Sequence, residues 1–235
     1  VSKRFGSGKR ERVALREVSL DVARGEMVGL FGPSGSGKTT LLRIAAGLLE
    51  PDSGTVGYAG ESLGSLSAGE RNRLRRREIA GVWTGQERWE KLRVLDHVMF
   101  PLLVDRRERR TAERRAREAL LACEADHCAN LEVEALSDGE RQRVELARAL
   151  VSEPRLLLAD SPASRLSLLE RESMMALLAS TARDGRVAVL VAESSAEALV
   201  GADRILMLRD GQLVAAEDRA GASVLPFVRP QSATG

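Results

Sequence analysis

Residues Gly32-Pro33-Ser34-Gly35-Ser36-Gly37-Lys38-Thr39 follow the order G-x-x-x-x-G-K-[ST] in full. Glycines at this spacing let successive backbone N–H groups converge on one point, and the group that satisfies such a nest is a phosphate. Lys38 is placed to reach the β- and γ-phosphates of a nucleotide, with Thr40 also among the nucleotide-binding residues, and the Thr39 hydroxyl to hold Mg²⁺. A second group stands far along the chain. Asp160 closes the apolar run Leu156-Leu157-Leu158-Ala159, and a carboxylate at the carboxyl end of a buried strand lies where an open α/β sheet binds its ligand. Its chemistry there is to orient Mg²⁺ through bound water. These residues point to nucleotide binding. They do not separate ATP from GTP, or binding from hydrolysis.

The flanking residues supply elements for both groups. Met27 to Phe31 is a short apolar run, a buried strand leading into the loop, and Thr39 to Leu48 has helical apolar spacing. The loop therefore opens a helix whose N-terminal dipole favours an anion. Val13 to Val22 alternates as a strand with one slip, and Val56 to Tyr58 and Ile79 to Trp83 read as short strands. A capping box at Ser67 to Glu70 starts a helix. Residues 94 to 150 contain three helices, separated at Pro101, Cys123 to Asn130 and Leu136 to Gly139. The charge run Arg106 to Arg117 is a solvated helix face with i,i+4 pairs. Ser167 to Thr181 is helical, Val187 to Val191 is a core strand, and Ser195 to Val200 starts a short helix. Asp210-Gly211 between apolar runs is a hairpin. Strands alternating with helices predict an α/β sheet core, with the helix-only middle as an inserted subdomain.

The chain has 235 residues, enough for a sizeable core. Its 36 basic and 34 acidic residues nearly cancel, and aromatics are only 3%, so composition gives no support to a nucleic-acid partner. Two cysteines, Cys123 and Cys128, and two histidines, His97 and His127, predict neither a disulfide framework nor a metal cluster. No apolar run is long enough to span a bilayer, and Val1 to Arg10 lacks the apolar segment of a signal peptide. Abundant Arg and Ala with little Lys suit a GC-rich bacterial genome. The chain begins without Met, and Phe5 comes early for a full first strand, so the expectation is that a few residues precede Val1.

With these motifs in order, the chain resembles an ATP-binding cassette (ABC) ATPase, the nucleotide-binding subunit of an ABC transporter. The phosphate loop resembles Walker A, and Leu156 to Asp160 resembles Walker B. Leu136-Ser137-Asp138-Gly139-Glu140, followed by Arg141-Gln142-Arg143-Val144, resembles the LSGGQ or LSGGE signature and its helix. Val94 to Val98 with Pro101 to Leu103 resembles the lipoprotein-release, macrolide-export and FtsE-like branch.

The resemblance implies a P-loop NTPase of ABC type: a RecA-like mixed-sheet core, an antiparallel β subdomain and an α-helical insert. It places a single domain over 1–216, with core segments 1–86 and 151–216, the insert at about 87–150 and a tail over 217–235. ATP and Mg²⁺ are the implied cofactors. Phe5 would stack on adenine, and Ser137 and Gly139 would meet the γ-phosphate held by a second ATPase subunit. A separate integral membrane permease is the implied partner, with Trp83 and the segment Trp89 to Val98 as contact candidates. The chain would sit peripherally on the cytoplasmic face of the membrane. Family members acting in DNA repair or translation usually carry long coiled-coil inserts or two fused cassettes, and the expectation is that these 235 residues have room for neither.

Several positions depart from the family pattern, and all concern hydrolysis. Ser161 stands where the general-base Glu follows Walker B, and Glu193 where the switch histidine ends the next core strand. Ser167 replaces the D-loop Asp, Asp138 the first signature glycine, and Thr84 the Q-loop Gln, with Gln86 two residues further on. Serine has no accessible carboxylate pKa and serves poorly as a base. Together these changes predict a site that binds nucleotide and turns over slowly or not at all. They favour a heterodimer with a competent sister subunit, with a homodimer as the alternative. Two other readings remain open: an ATP-gated regulatory subunit without export, and a competent ATPase in which Gln86 positions water and touches the metal.

Overall fold

The computed structural model describes residues 1–83, 91–185 and 187–218. Ten strands and six α-helices are defined among them. The strands are β1 (Lys3–Phe5), β2 (Arg12–Leu15), β3 (Met27–Phe31), β4 (Gly57–Tyr58), β5 (Glu61–Ser62), β6 (Ile79–Trp83), β7 (Leu156–Asp160), β8 (Ala188–Glu193), β9 (Arg204–Arg209) and β10 (Gln212–Asp218). The helices are α1 (Lys38–Ala45), α2 (Ala68–Arg77), α3 (Val94–Val104), α4 (Arg109–Ala122), α5 (Asp138–Leu150) and α6 (Leu168–Gly185).

A six-stranded sheet in the order β10-β9-β3-β8-β7-β6 forms the centre. All its pairings are parallel except β9 with β10, so the core sheet is mixed. Parallel strands must be covered on both faces, and their sequences are correspondingly apolar throughout. Alternation sends Leu157, Ala159, Val189 and Val191 to one face, with α5 and α6. Val28, Leu30, Leu158 and Leu190 go to the other, with α1. The register pairs Phe31 with Glu193, Ala192 with Asp160, and Asp160 with Trp83. The carboxyl ends of four strands thus lie along one edge, where the phosphate loop leaves β3.

The antiparallel part consists of two small ribbons, β1 with β2 and β4 with β5. The strand expected over Val13 to Val22 stops at Leu15. Arg16 N–H donates to the Gly211 carbonyl at 2.7 Å, and Glu17 turns the chain with φ of 49°. Leu20 and Val22 still pack against the core without joining a ladder. At the far edge, Asp210 and Gly211 both have positive φ, the geometry of the expected two-residue hairpin. β10 continues past Ala216 to Asp218.

The insert is α3, α4 and α5, packed on one another. Pro101 does not separate two helices as expected; it lies inside α3. A proline there forfeits the bond to the His97 carbonyl. The buried residues Val94, Leu95, Val98, Met99 and Leu102 hold the helix together around it. On α4 the pairs Arg114–Glu118 and Arg117–Glu113 form the expected i,i+4 bridges, while Ala112, Ala116 and Leu120 face inward. The helix expected at Ser195 to Val200 is a 3₁₀ turn over Ala196–Ala198.

Leu158 is fully buried at the centre of the sheet. Leu158→Ala is expected to cost about 2–5 kcal/mol of stability. In urea unfolding this reads as a lowered midpoint with an unchanged slope.

Candidate functional site: the phosphate loop and the carboxyl edge of the sheet

The loop between β3 and α1 is held in a shape that only glycine allows at its two ends. Gly37, the N-cap of α1, has φ of 109°, and a Cβ there would collide with the Ala14 carbonyl. A Cβ on Gly32 would collide with the Leu208 carbonyl. The loop is tied from outside as well. Gly211 N–H donates to the Ser36 carbonyl at 3.0 Å, and Ser36 is buried.

Lys38 is buried at the start of α1, and its Nζ donates to the carbonyls of Gly32 at 2.6 Å and Pro33 at 3.0 Å. Burial lowers its pKa, and the Asp160 and Glu193 carboxylates oppose that shift. Thr39 Oγ1 donates to Asp160 Oδ2 at 2.7 Å, so the two residues expected to share Mg²⁺ already meet. A cleft of about 400 Å³ opens over the loop, with Ser34, Gly35, Thr39, Thr40 and Asp160 among its lining. Phe5 stands on its wall, 44% exposed, with Lys3 Nζ 5.8 Å from the ring centre.

These residues fit a nucleoside triphosphate with a hard divalent cation. The loop offers N–H groups and one ammonium; Thr39 and Asp160 offer the oxygen donors that Mg²⁺ prefers. Two cleft residues have no counterpart in the sequence argument. Arg12 places a guanidinium nitrogen 3.2 Å from the Gly35 carbonyl, and Ser194 follows Glu193 into the lining. Arg12 immediately precedes the alternating segment that the sequence marks from Val13, and no motif singles it out.

Two of the departing positions, Ser161 and Glu193, lie at the carboxyl edge of the sheet by this cleft. Ser161 lines it, with φ of 53° and its N–H on the Ala192 carbonyl at 2.8 Å. Glu193 is buried, and its Oε1 accepts the Ala163 N–H at 3.0 Å. Burial raises the Glu193 pKa, and the nearby Asp160 charge adds to the rise; hydrogen bonds from the Ala163 and Ser194 amides and the charge of Arg171 oppose it. Thr84, Gln86 and Trp89 lie outside the described residues. Trp83 is half-buried at the end of β6 and packs against the core.

Ser137, exposed, caps α5 through a reciprocal box with Glu140, and Ser167 makes the same pattern with Glu170 at α6. Gly139 is buried, with the Glu170 carboxylate occupying the space a side chain would fill. Glu140 also lies beside His127 and Cys128, with the ligand atoms of the three within 4.8 Å of one another.

The fold and the loop together define a nucleoside-triphosphate-binding α/β domain. Residues 15–164 match the family model described as ABC transporter. The chain is 37% identical over 216 residues to the lipoprotein-releasing system ATP-binding protein LolD of Granulibacter bethesdensis, covering 92% of this chain and 94% of that protein. It is 40% identical over 200 residues to LolD 2 of Caulobacter vibrioides, covering 85% of this chain and 87% of that one. Among solved structures, the dimeric bacterial ABC transporter cassette MJ0796 superposes with a TM-score of 0.85 at 32% identity, covering 93% of this chain and 96% of that one. The same cassette in a post-hydrolysis state with ADP and Pi gives 0.84 at 33% identity, with the same coverage. This chain belongs to the ABC transporter family, as an ATP-binding subunit of the lipoprotein-release branch.

The raised Glu193 pKa has a definite sign for stability. Its folded-state value exceeds its unfolded one, so its contribution is fully present below the ordinary carboxylate value and lost as pH rises through the raised value. Glu193→Gln keeps an acceptor for the Ala163 amide without the charge. The variant is expected to gain stability over the parent near neutral pH, and the gain to vanish by about pH 4. Urea unfolding at the two pH values checks it.

Proposed function

We propose that this chain is the ATP-binding subunit of a lipoprotein-releasing ABC transporter, whose own phosphate-loop site holds Mg²⁺-ATP and hydrolyses it slowly or not at all. One observation carries the second half of this reading. The residue beside Asp160 is a serine, and the nearest replacement carboxylate, Glu193, is engaged with the Ala163 amide. A general base needs to lie within hydrogen-bond reach of the attacking water, and here no carboxylate other than Asp160 lines the described cleft.

In this reading the glycine loop and Lys38 bind the phosphates, Thr39 and Asp160 hold Mg²⁺, and Phe5 stacks on adenine. Arg12, close to Gly35, adds positive charge to the same wall. Ser137 and Gly139 serve the nucleotide of a second ATPase subunit. That Ser137 is exposed at the start of α5 supports this role, as does the dimeric state named for the MJ0796 cassette. A heterodimer with a competent sister is favoured, since a homodimer would carry two impaired sites.

Substrate choice belongs to a membrane permease on another chain. Among the described residues no helix is long and apolar enough to cross a membrane. The relatives' role in lipoprotein release supports a peripheral place at the cytoplasmic face.

The test is turnover with the permease and any sister subunit co-purified. ATP is expected to bind the chain alone, to be lost with Lys38→Ala, and to turn over weakly. Ser161→Glu together with Glu193→His is expected to raise turnover by about 10²-fold or more. Unchanged turnover in that variant, with Lys38→Ala abolishing a robust activity of the chain alone, would show the site to be competent as it stands.

A further inference from the structure

The loop after α4 and the first turn of α5 bring a histidine, a cysteine and a glutamate to one spot. His127 Nε2 lies 3.1 Å from Glu140 Oε1, and the ligand atoms of His127, Cys128 and Glu140 all lie within 4.8 Å of one another. We propose that these three side chains form a binding site for a thiophilic divalent cation of the Zn²⁺ class, clamped against the start of the signature helix.

The donor set is one imidazole nitrogen, one sulfur and one carboxylate oxygen. Such a mixed, partly soft set suits Zn²⁺ rather than Mg²⁺ or Ca²⁺, which take oxygen alone. Three protein ligands leave a fourth tetrahedral position for water. Access is favourable: His127 is 60% exposed at the mouth, while the Cys128 sulfur is buried beneath it. Binding would displace the Cys128 thiol proton to solvent. The thiolate and the Glu140 carboxylate would then balance the cation's two charges.

Glu140 divides its oxygens in a way that suits this role. Oε2 accepts both the Ser137 N–H at 2.9 Å and the Ser137 hydroxyl at 2.8 Å. Oε1 faces His127. A cation can therefore take Oε1 while Oε2 keeps the cap of α5. The other two ligands are consecutive on the 3₁₀ turn Asp126–Cys128, where the Cys128 N–H is fixed on the Ala125 carbonyl at 3.0 Å. The bound ion would tie this turn to the residue that caps the signature helix. Ser137 would then be held in place by a bond the polypeptide alone does not make.

The experiment uses the full chain, untagged and free of nucleotide, titrated with Co²⁺ as a spectroscopic probe and with Zn²⁺ against a chromophoric chelator. One Co²⁺ per chain is expected, with a thiolate-to-metal charge-transfer band and tetrahedral d–d absorption. Zn²⁺ should displace it and raise the thermal midpoint. Cys128→Ser should abolish the charge-transfer band. His127→Ala, at an exposed position that leaves the core intact, should weaken Zn²⁺ binding at least about tenfold. Cys123→Ser should change neither. The proposal is overturned if the band survives Cys128→Ser, or if His127→Ala binds Zn²⁺ as tightly as the parent. If Cys128→Ser does not fold, the His127→Ala affinity alone decides.

Discussion

The hydrogen bond from Thr39 Oγ1 to Asp160 Oδ2 joins residues 121 positions apart in sequence, and the candidate site is organised around it. It exists because β3 and β7 flank β8 in strict parallel register, so that Phe31, Glu193 and Asp160 end at one level. A one-residue slip in either pairing would send every side chain of the slipped strand to the opposite face. Leu157 and Leu158 are both fully buried on opposite faces, so such a slip would exchange the side chains packed into two separate cores. Packing at the sheet centre thus sets the distance between a hydroxyl and a carboxylate at its edge.

The same edge shows how the residues at the departing positions are accommodated with the architecture intact. Ser161 sits in a left-handed turn fixed by its backbone bond to Ala192, which does not depend on its side chain. Glu193 completes β8 as any residue could, and its carboxylate finds an amide to accept from. Both positions lie at strand ends, where backbone geometry is set by the ladder behind them. The phosphate loop rests on glycines that cannot carry a Cβ and on the buried Lys38.

Helix starts form a second organising device. Ser67–Glu70, Ser137–Glu140 and Ser167–Glu170 each make the reciprocal cap, satisfying amides that a helix leaves unpaired at its first turn. At α5 the cap does more than begin a helix. It orients Ser137 outward and leaves one Glu140 oxygen turned toward His127, so a local folding signal also shapes a cluster of side chains.

Much of this protein was legible in one dimension. The phosphate loop, the apolar run ending in Asp160, the Asp210-Gly211 hairpin and the α4 charge pairs are local patterns, and their chemistry acts over a few residues. The sequence by itself determined the family, the order of elements and the identity of the loop, because glycine spacing and apolar period act through backbone sterics and burial alone. Only the tertiary structure decided where Pro101 would be tolerated, since buried neighbours offset one lost hydrogen bond. Only it placed Arg12 on the cleft, turned Glu193 onto Ala163, and gathered His127, Cys128 and Glu140. Each of those outcomes depends on contacts between segments distant in the chain, and no local pattern carries the direction in which a distant side chain will point.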